Sequence, residues 1–313
     1  MKVKDIYLKT MKFSLIKLGL GAAVTAASII LLLLCLGITA LCKSEVVLMV
    51  MIILWAIGTS VIYKIMMNYI GYMIKAAHIA VIAESVTTGQ IPDNMVEYGK
   101  CKVRERFVEA NVYLVLDRLV SGAVKQLQKA VGAVGQALDF IPGMSNITSI
   151  AQTFVGISLG YVDECCLGYS FISKDKAAFE AGCDGVVVYF QNAKHLLKNA
   201  AVTTVIVLLA TFVVWFAPFI LLALLFSALN WNMLIAFVLA VIIAICLKTA
   251  FIDSYMLIKM MYSYMEVAPQ TVISFDLYEK LCGLSKSFKK LFDKARTQTA
   301  SLVNHTQTNT ATY

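Results

Sequence analysis

Charge is scarce in this chain. Asp, Glu, Lys and Arg supply 15% of its 313 residues, against a hydrophobic fraction of 60% and a mean hydropathy of +0.79. A soluble globular domain carries about 25% charged residues, so the composition excludes one that keeps its whole surface in water. Histidine is nearly missing, with only His78, His195 and His305, and none of the eight cysteines stands in C-x-x-C spacing. That argues against a zinc site and against a disulfide framework. Buried thiols acting as small apolar side chains are expected instead. The chain also lacks G-x-S-x-G, H-E-x-x-H, a Walker sequence and a dinucleotide fingerprint. No enzymatic activity, catalytic residue, metal or cofactor is therefore expected.

What the chain has is long apolar runs. They extend from Leu18 to Leu41, Val46 to Tyr63, Ala200 to Leu229 and Trp231 to Leu247. Each approaches or exceeds the roughly 20 residues that a membrane-crossing helix needs. The first follows a basic start (Lys2, Lys4, Lys9, Lys12, Lys17) and invites comparison with a signal peptide. Its apolar stretch is longer than the about 7–15 residues of a signal h-region, so a retained anchor is expected. The short polar turn Cys42-Lys43-Ser44-Glu45 separates the first pair, and Asn230-Trp231-Asn232 forms the tip of the second.

Basic residues give an orientation. Lys and Arg number 5 in residues 1–17, 1 in the 42–45 turn, none around 230, 13 in residues 64–198 and 8 from 248 onward. Because basic loops stay on the cytoplasmic side, both termini and the middle region are expected inside, with the two tips outside the cell membrane. The net charge of +8 follows from this bias and from attraction to anionic lipid head groups; it is no sign of nucleic-acid binding.

The order is thus hairpin, middle region, hairpin, tail: residues 1–75, 76–199, 200–265 and 266–313. After each hairpin the helix is predicted to continue, through 64–75 and through 255–264, both rich in Met and Tyr with interspersed Lys. Thr87 to Asn94 reads as a loop, and a helix with mixed charges follows. Ile141-Pro-Gly-Met144 is the clearest turn, with Ser145-Asn146 placed to cap the next helix. The stretches 107–141 and 147–172 then form a helical hairpin. It crosses the membrane, dips into it, or lies flat, and embedding in the bilayer or in a bundle core is favoured. Lys125 and Lys129 would need a polar lining there. The tail is basic from Lys286 to Arg296, suited to anionic lipid, and its last dozen residues are expected to be disordered.

Asp163 and Glu164 stand inside the apolar run from Ile147 to Ile172. A carboxylate out of water costs several kcal/mol or more unless it is paired, protonated or beside water, so an intramembrane acid is a site hypothesis by default. As neighbours they point about 100° apart on a helix. Arg118 across the hairpin is expected to balance one, while the other faces a pore or cation. Tyr161 and Tyr169 would line the site, Tyr169 being placed close to the face of Glu164. Carboxylate plus aromatic rings suits an organic cation; interfacial acids satisfied by Lys or water are the plainer alternative. Lys248 and Asp253 form a second candidate, for which snorkelling is the simpler account. Pro218 is a predicted kink. Gly182-Cys-Asp-Gly185 is too short to cradle phosphate and is expected to let two helices approach closely.

From Asp184 onward the order of features resembles the C-terminal half of the choline-transporter-like family. Tyr189-Phe-Gln-Asn-Ala-Lys-His-Leu-Leu-Lys-Asn199 leads into a long span, then come a short tip and a closing span ending in Ala250-Phe-Ile-Asp-Ser-Tyr-Met-Leu-Ile-Lys-Met-Met261. The resemblance covers residues 184–265 and implies transport of a choline-like solute. The acidic, cysteine-rich sequence that closes the family pattern is missing, and no family residue carries over.

The expectation is an all-α, polytopic integral membrane protein with four transmembrane helices and a central helical hairpin. It is either a transporter or pore for a small solute or organic cation, working as a homo-oligomer, or a non-transporting scaffold or accessory protein that binds partners or anionic lipid in the bilayer.

Overall fold

A computed structural model describes residues 1–106, 110–133, 161–230 and 233–310. The expected turn at 141–144, the cap at 145–146, the apolar run from Ile147 to Gly160 and the tip residues Trp231 and Asn232 lie outside the described residues. Among the described residues every regular element is helical and there is no strand. The protein is all-α.

Thirteen α-helices are described: α1 (Val3–Lys9), α2 (Met11–Cys42), α3 (Glu45–Ile65), α4 (Tyr72–Thr88), α5 (Met95–Arg106), α6 (Ala110–Ala133), α7 (Val162–Ile172), α8 (Ala178–Gln191), α9 (Ala193–Ala228), α10 (Met233–Leu247), α11 (Asp253–Val267), α12 (Phe275–Leu284) and α13 (Lys286–Thr310). Single π-helical segments, Met66–Gly71 and Lys248–Ile252, join α3 to α4 and α10 to α11. The expected continuation of the helix beyond each hairpin is therefore present, with a widened turn at the junction. Among the described residues four helices are long and apolar enough to cross a membrane: Met11–Cys42, Glu45–Thr88, Val207–Ala228 and Leu239–Gln270. Helix α9 continues through Pro218.

The chain divides into two compact units. One comprises Lys9–Ala76 and Leu208–Ser254, and the other Met1–Leu8, Ala77–Val207 and Tyr255–Tyr313. Most of both apolar hairpins falls in the first, which we call the membrane unit; the middle region and tail, with residues 1–8, 200–207 and 255–265 of the hairpins, fall in the second, the helical body.

In the membrane unit, α2 and α3 pair as an antiparallel hairpin. Lys43 ends α2 in the left-handed region at φ 50°, its N–H donating to Thr39 O, and Glu45 occupies the first turn of α3. A carboxylate there is favoured by the positive end of the helix dipole. Between the helices Ser28 and Thr59 share a hydroxyl hydrogen bond of 2.9 Å, and Trp55 Nε1 donates to Ser28 O at 3.0 Å. Much of the remaining surface is large and apolar: Leu33, Leu34, Ile53, Leu209, Phe212, Leu221 and Leu224 are all exposed. So wide an apolar surface belongs against lipid or another partner.

The helical body has an ordinary core. Ile79, Ile82, Leu116, Leu127, Tyr189, Phe190, Tyr264 and Phe288 are fully buried. Helix α13 contributes Phe288, Leu291 and Ala295 at i, i+3, i+7 spacing and exposes Lys286, Lys289, Lys290, Lys294 and Arg296. It is described as helix to Thr310. Once the packed turns nucleate a helix, adding residues to its end is inexpensive. Gln126 fixes where α13 begins, its Oε1 accepting from Ser285 Oγ at 2.8 Å and from Ser287 N at 3.1 Å. Arg106 closes the five-residue connection between α7 and α8, donating to Ser173 O at 3.0 Å and Lys176 O at 2.8 Å.

Candidate functional site

Asp163 and Glu164 lie in the first turn of α7, an 11-residue helix of the helical body that is none of the four span-length helices. Tyr161 adopts a turn conformation (φ −113°, ψ 8°) immediately before it, at its N-cap. The greater part of the expected apolar helix, residues 147–160, lies outside the described residues.

Ser121 Oγ donates to Asp163 Oδ2 at 2.7 Å, and Glu164 is buried at 8% exposure beside the fully buried Cys165 and Cys166. Arg118 does not balance them. It is exposed on α6, and no ion pair among the described residues joins it to either acid. Ser121 faces α7 in its place. Lys125 and Lys129 are exposed as well. Tyr161 is half-buried. Tyr169 stands five residues beyond Glu164, a rotation of about 140° on an α-helix, and packs edge-on against Tyr264 with ring centroids 6.3 Å apart. Of the five expected site residues, Glu164 and Tyr169 are buried, Asp163 and Tyr161 half-buried and Arg118 exposed. Tyr264 also stacks on Tyr189 at 6.1 Å and donates to Gly185 O at 3.0 Å.

The glycines of Gly182-Cys-Asp-Gly185 do bring helices together. A Cβ on Gly185 would lie 3.0 Å from Cys166 Cα, and one on Gly182 would lie 2.5 Å from Leu116 Cδ1. The same segment holds a polar cluster that periodicity missed. Asp184, 5% exposed, accepts from Lys176 Nζ at 2.6 Å and from the Tyr278 hydroxyl. Burial by itself would lower the Lys176 ammonium, but its hydrogen bond and charge contact with Asp184 outweigh that, and its pKa is raised. Burial, reinforced by the Asp184 charge, pushes the Tyr278 phenol up. Burial likewise holds Cys165, Cys166 and Cys183 well above the ordinary thiol range, with nearby acidic groups acting in the same direction. These thiols stay protonated and poorly nucleophilic at neutral pH. Among the described residues no group of His, Cys, Asp and Glu could hold a metal ion.

In the membrane unit, Lys248 Nζ meets Asp253 Oδ1 at 2.7 Å. On a regular α-helix residues five apart diverge by about 140°. The i→i+5 hydrogen bonding of the π-helical segment between them returns both to one side. Each of these two charges, partly exposed, thus has a partner.

Helices of this length and apolarity, joined to a helical body with an ordinary core, define an all-α membrane protein. No family model, curated protein or solved structure matches the chain.

Proposed function

We propose that the protein is a non-transporting membrane scaffold or accessory protein, held by its four apolar helices with both termini cytoplasmic. Its helical body would bind partners, and the basic face of α13 would engage anionic lipid head groups. One observation carries this reading: the acidic pair, on which the candidate solute site rested, lies in an 11-residue helix of the helical body, Glu164 buried and Asp163 half-buried, and in none of the span-length helices found among the described residues. Asp163 accepts from Ser121 and Asp184 from Lys176, so these carboxylates act as parts of helix contacts. The exposed lysines of α13 add the second element, since each basic residue close to an anionic surface contributes about 1 kcal/mol of attraction.

The competing reading is a transporter or pore for a small solute or organic cation, as the choline-transporter-like resemblance implies. Proteoliposomes separate the two. Uptake of radiolabelled choline and leakage of an entrapped dye are expected to match protein-free vesicles. Flux above that level, lost in Asp163→Asn and Glu164→Gln proteins that keep their helical content, would overturn the scaffold reading.

A further inference from the structure

The membrane unit contains a cavity of about 660 Å³, bounded by α2, α3 and α10 and reaching the π-helical residue Thr249. Its lining changes along its length. Lys17 and Lys64 stand at one end, Thr25, Ser28, Thr59 and Ser60 at the middle, and Leu32 and Leu239 at the other end.

The hydroxyls do not make it a polar path. Thr25 donates to Gly21 O at 2.9 Å and Ser60 to Ala56 O at 2.8 Å, while Ser28 and Thr59 bond each other. Thr25 and Ser60 thus spend their protons inside their own helices, and the Ser28–Thr59 pair keeps one proton of its two, so between the lysine end and the far end the lining is mostly hydrocarbon. A hydrated ion would lose its water there without replacement. An alkyl chain loses nothing and buries its surface.

Dimensions narrow the occupant further. From Lys17 to Leu32 the lining of α2 spans 15 residues, roughly 22 Å at 1.5 Å per residue. One leaflet of hydrocarbon is about 15 Å thick, so the cavity accommodates a chain hanging from the interface. The two lysines sit where such a chain would carry its head group. Lys17 is half-buried and already directed by a 2.9 Å hydrogen bond to Ser254 Oγ.

We propose that this cavity is a binding site for an anionic phospholipid, with one acyl chain between α2, α3 and α10 and the phosphate between Lys17 and Lys64. The site deepens the lipid-binding part of the reading above and rests on it. A bound lipid here is a structural ligand that fills a gap between helices, separate from the head groups met by α13.

Trp55 lines the cavity and reports on it. Trp215 and Trp231 are the other two tryptophans, so Trp215→Phe/Trp231→Phe leaves Trp55 alone. The full chain in detergent is titrated with phosphatidylglycerol brominated on its acyl chains, and separately with brominated phosphatidylcholine. Quenching of Trp55 is expected to saturate near one lipid per chain, with about tenfold tighter binding of the anionic lipid. Lys17→Gln/Lys64→Gln should erase that preference and leave quenching by either lipid. Ile242→Phe, which narrows the cavity, should weaken quenching while the circular dichroism spectrum is kept. Should that variant misfold, alkylation of Cys246 in the unaltered chain takes its place, slowed by phosphatidylglycerol if the site is real. Quenching that never saturates, or that is equal for the two lipids, overturns the site. So does a Cys246–Cys246 cross-link between copies that brominated lipid fails to reduce. Choline flux in proteoliposomes would defeat the non-transporting reading and leave saturable quenching unaffected, so the two failures are distinguishable.

Discussion

Gly182 and Gly185 occupy adjacent turns of α8, yet replacing each by alanine should have opposite consequences. Alanine gains about 1 kcal/mol over glycine in a helix interior, and this gain is the same at both positions. What differs is the neighbour. At Gly185 the added methyl meets Cys166 Cα at 3.0 Å, its Cβ at 3.2 Å and its carbonyl at 3.4 Å. Backbone of a packed helix cannot swing aside, so α7 must shift, at a cost of about 1–3 kcal/mol. The same shift disturbs the Tyr264 bond to Gly185 O, a net interaction of about 1 kcal/mol. Gly185→Ala is therefore expected to lose about 1–3 kcal/mol overall. At Gly182 the obstacle is Leu116 Cδ1 at 2.5 Å, the end of a flexible side chain. Moving it off its rotamer costs about 0.5–1.5 kcal/mol, which the propensity gain offsets, so Gly182→Ala should stay within about 0.5 kcal/mol of the parent. Denaturant unfolding of the purified protein in detergent, followed by Tyr and Trp fluorescence, measures both. A Gly185→Ala protein as stable as the parent would refute the close approach of α7 and α8, as would a larger loss at Gly182.

Stability should also fall in alkali. Cys165, Cys166 and Cys183 keep their protons in the folded state, whereas in the unfolded chain they titrate near the ordinary value of about 8.5. Above that pH the native state binds more protons, so unfolding free energy decreases as pH rises, by up to about 1.4 kcal/mol per pH unit for each thiol. The contribution is complete below pH 8; denaturation midpoints that are unchanged between pH 8 and pH 10 would contradict it. Asp184→Ala strands Lys176 and the Tyr278 hydroxyl, and because Lys176 is about a quarter exposed the loss should be about 2–3 kcal/mol, under the 3–5 of a fully buried pair; urea titration against Tyr278→Phe, expected near 1–2 kcal/mol, gives the comparison. Ser121→Ala should cost about 1.5–3 kcal/mol through Asp163, while Arg118→Ala should be neutral within about 0.5 kcal/mol. A reversed order in thermal unfolding would restore Arg118 as the partner of the acids.

The apolar runs made the membrane unit legible, because crossing hydrocarbon demands about 20 apolar residues and little else satisfies that. The glycine pair was legible for a similar reason: small residues at i and i+3 suit close contact. Asp163 and Glu164 were noticed for a sound reason, the cost of buried charge, but their surroundings depended on α7 beginning just after Tyr161 and on Ser121 lying across from Asp163. Pairings such as Lys176 with Asp184 and Tyr278, or Gln126 with Ser285 and Ser287, join residues distant in sequence or set by loop geometry. Nothing periodic marks them. The cavity of the membrane unit was hidden for the opposite reason: its Ser, Thr and Lys residues look unremarkable individually and gain meaning only from sharing one wall.

The clasp of Arg106 on Ser173 and Lys176 has a consequence for digestion. Lys174 is exposed in a short connection and would ordinarily invite trypsin. A protease must draw its substrate out as an extended strand, and the guanidinium holds the carbonyls on both sides of Lys174 inward. One arginine thereby makes an accessible scissile bond resistant, and nicking there becomes a gauge of whether α7 and α8 remain closed on each other.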